Sequence, residues 1–241
     1  VSHAYYNEID PYAARWLRAL IAGGLVPAGD VDERSILDVR AADLAGYRQC
    51  HFFAGIGGWS YALRLAGWPD DRPVWTGSCP CQPFSEAGKR QAFEDDRHLW
   101  PAWFRLIRER KPPIIFGEQT PEAIGWGWLD SVANDLETQA YAFGSAIIPA
   151  CAVGPKHLRE RIWFLADAKG EWWKPDWRKQ RPPRRDRSRE IRPWPDQSSI
   201  PVMADGVRGR MAFVRAYGNA IVPQAAAEFV TAFMELSDAA E

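Results

Sequence analysis

The sequence predicts an α/β fold built on a parallel-rich, doubly wound sheet. Three observations carry that expectation. Short apolar runs alternate with longer segments of helical periodicity along most of the chain, the pattern that lays helices on both faces of a sheet. A glycine-rich turn, Gly55-Ile56-Gly57-Gly58, sits where one such run passes into a helix. The alternation fails in one stretch, from Lys169 to Ile200, where Pro, Arg and Trp dominate.

The elements follow in order. Tyr5-Tyr6-Asn7-Glu8-Ile9 reads as a short strand that ends in an acid. Asp10-Pro11 opens a helix, with Pro11 in the first turn, where its missing N–H costs nothing. That helix runs to Ala22 and stops at Gly23-Gly24. Ile36-Leu37-Asp38-Val39 is a second strand candidate. Gln49 to Ala54 is a third, followed by the glycine turn and a helix ending near Gly67. Val74 to Gly77 is a fourth. Leu99 to Arg108 is helical, and Pro112-Pro113 stops it. Ile114-Ile115-Phe116 is an apolar strand ending at Gly117-Glu118. Trp128 to Thr138 is helical again. Tyr141 to Ile148 and Arg161 to Ala166 are two further strands, and an amphipathic helix from Pro223 to Leu236 closes the pattern. Residues 1–166 and 206–241 are expected to form one domain. Residues 167–205 read as a segment of loops on a rigid scaffold, not as a second core.

The chain of 241 residues can bury the core of one large domain. With 46% hydrophobic and 25% charged residues it does not read as disordered. The net charge of −1 carries no overall polyanion signature, but residues 169–192 alone carry +6. Charge concentrated on one segment is the pattern of a polyanion binder, or of a solvated basic loop. Thirteen tryptophans serve either core packing or stacking on bases or a cofactor. The cysteines Cys50, Cys79, Cys81 and Cys151 make no CxxC pair, which argues against a disulfide framework and, with few histidines, against zinc. No signal peptide and no membrane-length apolar run is visible, so a protein of a reducing cytoplasm is expected, without membrane contact and as a monomer.

Three places carry chemistry. Phe53-Ala54-Gly55-Ile56-Gly57-Gly58 places glycines at a strand-to-helix turn, where a ligand can approach the backbone and the helix N-terminus favours an anion; a purely structural turn fits equally well. Cys79-Pro80-Cys81-Gln82-Pro83-Phe84-Ser85 follows the fourth strand. A cysteine just past a strand end is placed for attack in the cleft of an α/β sheet, and the flanking prolines and polar residues argue against an inert buried thiol. A working thiolate needs local positive charge, which Arg159 and Arg161 can supply. Glu118 ends the fifth strand. It is either a surface acid or, if burial raises its pKa, a general acid or hydrogen-bond donor.

The ordered set FAGIGG, PCQPFS, a strand-terminal Glu118, the pair Arg159 and Arg161, and Gly218-Asn219-Ala220-Ile221-Val222-Pro223 resembles the cytosine-5 DNA methyltransferases, and the whole is similar to their compact phage or prophage members. The resemblance implies a Rossmann-like sheet of the S-adenosylmethionine-dependent methyltransferase type, with residues 167–205 as a short, irregular target-recognition segment. It implies that Phe53, Gly55, Gly57, Gly58 and Asn219 line the cofactor. Cys81 would add to C6 of a cytosine flipped out of duplex DNA, since the ring is inaccessible in the stack. Glu118 would bind the ring at N3, Arg161 the cytosine carbonyl, and Arg159 would brace a loop, Ser85 to Asp96, that closes over DNA. A restriction endonuclease in a bacterial or phage-infected cell is the accompanying partner the family suggests. A tRNA cytosine-5 methyltransferase and a catalytically dead DNA-binding module are the competing readings.

Several features depart from the family. Its Glu-Asn-Val is here Glu118-Gln119-Thr120, and its Gln-x-Arg-x-Arg is His157-Leu158-Arg159-Glu160-Arg161. The largest departure is order. The acid that holds the cofactor ribose should follow the glycine turn, yet no room is left before PCQ. Asn7-Glu8-Ile9-Asp10 is similar to the family's ribose-binding strand end, and Leu37-Asp38-Val39-Arg40 to its adenine-contacting segment. The chain therefore resembles a family member circularly permuted in its cofactor half. The sheet order this implies is 35–38, 5–8, 50–54, 73–78 and 113–117, with Glu8, Ile9 and Asp38 in one cleft with Phe53 and Gly55.

Overall fold

The computed structural model describes residues 4–80, 99–153, 159–170 and 220–238. In chain order these form β1 (Ala4–Asn7), α1 (Pro11–Ala22), β2 (Gly29–Asp32), β3 (Gln49–Phe52), α2 (Gly58–Leu65), β4 (Val74–Gly77), α3 (Trp100–Arg110), β5 (Ile114–Gln119), α4 (Glu122–Gly125), α5 (Trp128–Thr138), β6 (Ala142–Pro149), β7 (Glu160–Asp167) and α6 (Pro223–Asp238). Among the described residues the strands make one seven-stranded sheet, ordered β2-β1-β3-β4-β5-β7-β6. The first five of that order run parallel; β7 and β6 are antiparallel to their neighbours.

Side chains alternate across the sheet as a period of two requires. In β5, Ile115 faces one core, with α3 and α5, while Ile114 and Phe116 face the other, with α2 and α6. Below β1 and α1 a smaller cluster holds Ala4, Tyr6, Leu17 and Val26. Trp59, Trp68, Trp75, Trp100, Trp103, Trp128 and Trp163 are buried, which assigns these tryptophans to packing. Trp100, Trp128 and Phe164 meet edge to face. Gly117 makes room for this cluster: a Cβ there would lie 1.9 Å from the Phe164 ring.

Helix α1 begins as its sequence demands. Asp10 accepts from the Tyr12 and Ala13 amides at 2.7 and 3.1 Å, and Pro11 takes the first turn. The expected strand order holds across β1, β3, β4 and β5, with one correction at the edge. Residues 35–38 form a turn and pair with no strand; the edge strand is Gly29–Asp32. Ile36 and Val39 are both buried while Leu37 stays 61% exposed. That i, i+3 spacing folds a turn onto the core, whereas a strand would have placed residues 36 and 38 on one face. The true edge strand, Gly-Asp-Val-Asp, carries residues depleted in strands and so gives little local signal. The segment from residue 167 to 205, read as target recognition, lies outside the described residues beyond Gly170.

Candidate functional site

Parallel strands bring the loops at their C-terminal ends to one rim of the sheet, the usual ligand edge of doubly wound folds. Here that rim collects Glu8 and Ile9 after β1, Phe53 to Gly57 after β3, Ser78 to Pro80 after β4, and Glu118 near the end of β5. Because β7 runs antiparallel to β5, its start reaches the same rim. Glu118 is registered with Trp163 and Gln119 with Ile162, which sets Arg161 and Arg159 beside them.

Glu8 joins the glycine turn directly. Its Oε2 accepts the Gly55 amide at 2.6 Å, and its Oε1 accepts the Asp10 amide at 2.8 Å. Burial raises its pKa, and these two N–H donors oppose the rise. The two segments are far apart in sequence, so this contact exists only because β1 pairs with β3. Ile9 is 64% exposed beside it. Asp38, in contrast, sits exposed in the turn after β2, its amide bonded to the Ser35 carbonyl. No described contact links it to Glu8 or Gly55.

The turn itself is held in conformations that disfavour ordinary side chains. Phe53 has φ +51°, Gly55 +54° and Gly57 +84°. A Cβ on Gly55 would meet nothing within 4 Å, so this position is open to an approaching group. Gly58 has a different reason: a Cβ there would lie 2.7 Å from the Ile221 side chain, where the C-terminal segment crosses the start of α2. Phe53 packs edge-on against Trp103, centroids 6.3 Å apart. An apolar cavity of about 820 Å³ opens beside Gly57 and Gly58, walled by Trp16 and Leu20 of α1, Tyr61 of α2 and Ile221. Arg159 lines it, whereas Glu8 and Glu118 do not.

Glu118 is 7% exposed and paired with Arg161, whose Nε lies 2.8 Å from Oε1. Burial raises its pKa; the charge of Arg161, the neighbouring Ser78 hydroxyl and the charge of Arg159 pull it back. Ser78 Oγ in turn accepts from Trp59 Nε1 at 3.1 Å. Gln119, 2% exposed, donates from Nε2 to the Cys79 carbonyl at 3.3 Å and accepts the Thr120 amide. It thereby ties the end of β5 to the residue before Pro80. Arg159, at φ +22°, donates to the Ala220 carbonyl at 2.9 Å. Burial, and then the like charge of Arg161, lower its pKa.

Cys79 is buried, and burial drives its thiol pKa far up. Cys81, Asn219 and the loop Ser85 to Asp96 lie outside the described residues; Cys81 follows Pro80 and Asn219 precedes Ala220 in the sequence. Sequence reasoning missed Ser78 and Trp59. Each adjoins a recognised motif, but a lone Ser or Trp has no spacing rule to mark it.

A doubly wound sheet whose rim combines a glycine turn, an acid reaching it from the neighbouring strand and a buried Glu–Arg pair is the frame of a cofactor-binding α/β protein. Residues 69–211 match the family model described as C-5 cytosine-specific DNA methylase, and the chain belongs to that family. It is 26% identical over 169 residues to the type II methyltransferase M.HhaI of Haemophilus parahaemolyticus, covering 54% of this chain and 52% of that protein. It is 30% identical over 92 residues to the type II methyltransferase M.MspI of a Moraxella species, covering 36% and 22%. The chain thus spans about half the length of M.HhaI. Among solved structures, Dnmt2 methyltransferase of S. pombe aligns over 69% of this chain and 51% of that one, with 14% identity and a TM-score of 0.42. C-5 cytosine methyltransferases use S-adenosylmethionine as methyl donor.

Proposed function

We propose that this chain is a DNA (cytosine-5-)-methyltransferase acting on a cytosine flipped out of duplex DNA, with Cys81 as nucleophile. One observation carries the reading: the buried Glu118–Arg161 pair stands at the end of β5, on the strand next to the one that leads into Cys81. The residues at the rim also fit the family's cofactor. Glu8 presents a carboxylate beside Gly55, Gly55 leaves open space, and exposed Ile9 offers an apolar surface. Glu8 and Ile9 would hold its ribose end, and Phe53, Gly55, Gly57 and Asn219 its methionine end. Gly58 serves the same turn by letting Ile221 close on α2. When bound, S-adenosylmethionine supplies an electrophilic methyl group.

The chain's own residues do the rest. The Cys81 thiolate adds its electron pair to C6 of the cytosine. Glu118 donates a hydrogen bond from its carboxyl proton to N3, which draws charge toward N3 and makes C6 electrophilic; the addition of Cys81 there leaves an enamine whose C5 is electron-rich. Burial, by raising the pKa of Glu118, keeps that proton available nearer to neutrality. Arg161 fixes the Glu118 rotamer and directs the remaining donors of its guanidinium to the cytosine carbonyl. After C5 takes the methyl, loss of the C5 proton to solvent and breakage of the sulfur–C6 bond release Cys81. Arg159 bonds the Ala220 carbonyl in the segment that precedes α6, one residue after Asn219 in the sequence.

Trapping tests this directly. Duplex DNA carrying 5-fluorocytosine in place of cytosine, supplied with S-adenosylmethionine, should give a covalent adduct mapped to Cys81, since fluorine cannot leave as the C5 proton does. A tRNA transcript serves as the parallel substrate. Adduct on tRNA alone would favour RNA as substrate, and duplex binding with no adduct would mark a binding module.

A further inference from the structure

Glu118 is held from two sides, and only one of them is charged. On the β7 side stand Arg161 and, farther off, Arg159. On the β4 side stands Ser78, brought alongside by the parallel register of Gly77 with Gly117. Behind Ser78 is Trp59, the second residue of α2, buried at 4% exposure and directly after the glycine turn. The neighbouring thiol, Cys79, stays neutral. Neither Ser78 nor Trp59 belongs to the motifs that mark the family resemblance.

Donor chemistry fixes the direction of this arrangement. An indole N–H can only donate, and a serine hydroxyl has a single proton. Because Ser78 Oγ accepts from Trp59 Nε1 at 3.1 Å, its own proton is directed onward. The Glu118 carboxylate, which when ionised can only accept, is the acceptor that the β4–β5 register sets beside it. The chain of hydrogen bonds thus runs one way, from α2 through the end of β4 to β5.

We infer that Ser78 is a positioning residue: it accepts from Trp59 and donates to Glu118, and so fixes the carboxyl against Arg161 and ties it to the helix behind the glycine turn. Its importance for methyl transfer rests on the function proposed for Glu118, but its effect on Glu118 does not. A donor removed from a carboxylate favours the protonated form. Ser78→Ala should therefore raise the Glu118 titration midpoint by about one pH unit, the worth of one hydrogen bond to a charged group. Ser78→Thr, which keeps the hydroxyl, should restore it. Trp59→Phe leaves the hydroxyl free to rotate and should move the midpoint in the same direction by less.

The measurement is carbon NMR of side-chain carboxyls in the full chain labelled at glutamate Cδ, with the Glu118 resonance assigned by its loss in Glu118→Gln. Urea unfolding of each variant confirms that it is folded where it is titrated. An unmoved midpoint in Ser78→Ala, or a threonine variant that behaves like the alanine one, overturns the role of Ser78. An unmoved midpoint in Trp59→Phe overturns the link to α2. In parallel, the pH dependence of methyl transfer to duplex DNA should shift with the NMR midpoint. A chain that titrates as expected but transfers no methyl group leaves this inference standing and sinks the proposed function. A chain that transfers methyl groups with an unmoved midpoint does the reverse.

Discussion

Cys79 and Cys81 lie two positions apart, and burial takes Cys79 out of the chemistry. The Cys79 thiol is packed in the core with its pKa pushed well above the ordinary thiol range, so at neutral pH it supplies no thiolate. Cys79→Ala, which removes the sulfur without burying a hydroxyl, should keep most methyl transfer, whereas Cys81→Ser should abolish it. Steady-state transfer to duplex DNA reads both, and full activity in Cys81→Ser would refute the nucleophile. Glu118 gives a pH-dependent counterpart. Its folded pKa is raised, so between the ordinary glutamate value of about 4.3 and the folded value the native state binds more protons than the unfolded one. Its contribution to stability is therefore full below about 4.3 and is lost as pH rises through the folded value. Glu118→Gln should flatten that slope in urea unfolding across this window. It should also slow methyl transfer by roughly 10²- to 10⁴-fold, the usual worth of a positioned acid. How much of this is legible in the sequence depends on the residue. Glu118 is visible as a strand-terminal acid, but its pairing with Arg161 follows from a β5–β7 register that no local pattern encodes. Ser78 carries no signal at all, because its role depends on an indole brought from another helix.

At the scale of elements, the glycines of the turn before α2 serve different ends, and alanine substitution should distinguish them. Gly55 has positive φ and open space, so Gly55→Ala should cost about 1–2 kcal/mol of backbone strain with no clash. Gly58 has no such φ but meets Ile221 at 2.7 Å, so Gly58→Ala should cost about 1–3 kcal/mol through overpacking. Ile221→Ala, which removes the γ carbon that the new methyl would meet, should cost less in the Gly58→Ala background than in the parent and show no such coupling with Gly55→Ala, as measured by urea midpoints. The edge strand is the element that the sequence hides. Ile36 and Val39 look like a strand in isolation, yet both insert into the core from a turn. Meanwhile β2 is held by Tyr5 donating to Asp32 at 2.7 Å and by Asn7 reaching the Asp32 and Arg34 carbonyls. Such an edge is specified by its neighbour's side chains, which local periodicity does not read.

At the scale of the whole molecule, the sheet order depends on pairing and not on the order of synthesis. The Gln49 side chain donates to the Pro69 carbonyl, and Gln49 is paired with Ala4. The Val74 amide is bonded to the Arg48 carbonyl. The ends of α2, β1 and β4 therefore lie close together. A variant with residues 4–46 moved to follow Gly67, ahead of Pro73, should fold to the same sheet. Its Tm should stay within about 5 °C of the parent, roughly 1–2 kcal/mol for a chain of this size. A far larger loss, or disappearance of the near-ultraviolet circular dichroism, would show that the order of segments matters. The basic stretch 169–192 offers a separate test. Replacing Arg184, Arg185 and Arg187 with Ala should lower the salt slope of duplex binding by up to about 3, near one for each phosphate no longer neutralised. An unchanged slope would mark a solvated loop.

The seal between Gly58 and Ile221 has a consequence for synthesis. Helix α2 packs Trp59, Ala62 and Leu63 against Ala225, Ala226 and Val230 of α6 in one cluster. On a ribosome, the first partner is made about 160 residues before the second. At roughly 5–20 residues per second, the apolar face of α2 waits some 8 to 32 seconds for its cover. Until α6 arrives, Gly58 lacks the Ile221 contact that closes over the start of the helix. A nascent chain that already carries Cys81 and Glu118 would therefore present chaperones with the face that α6 later hides.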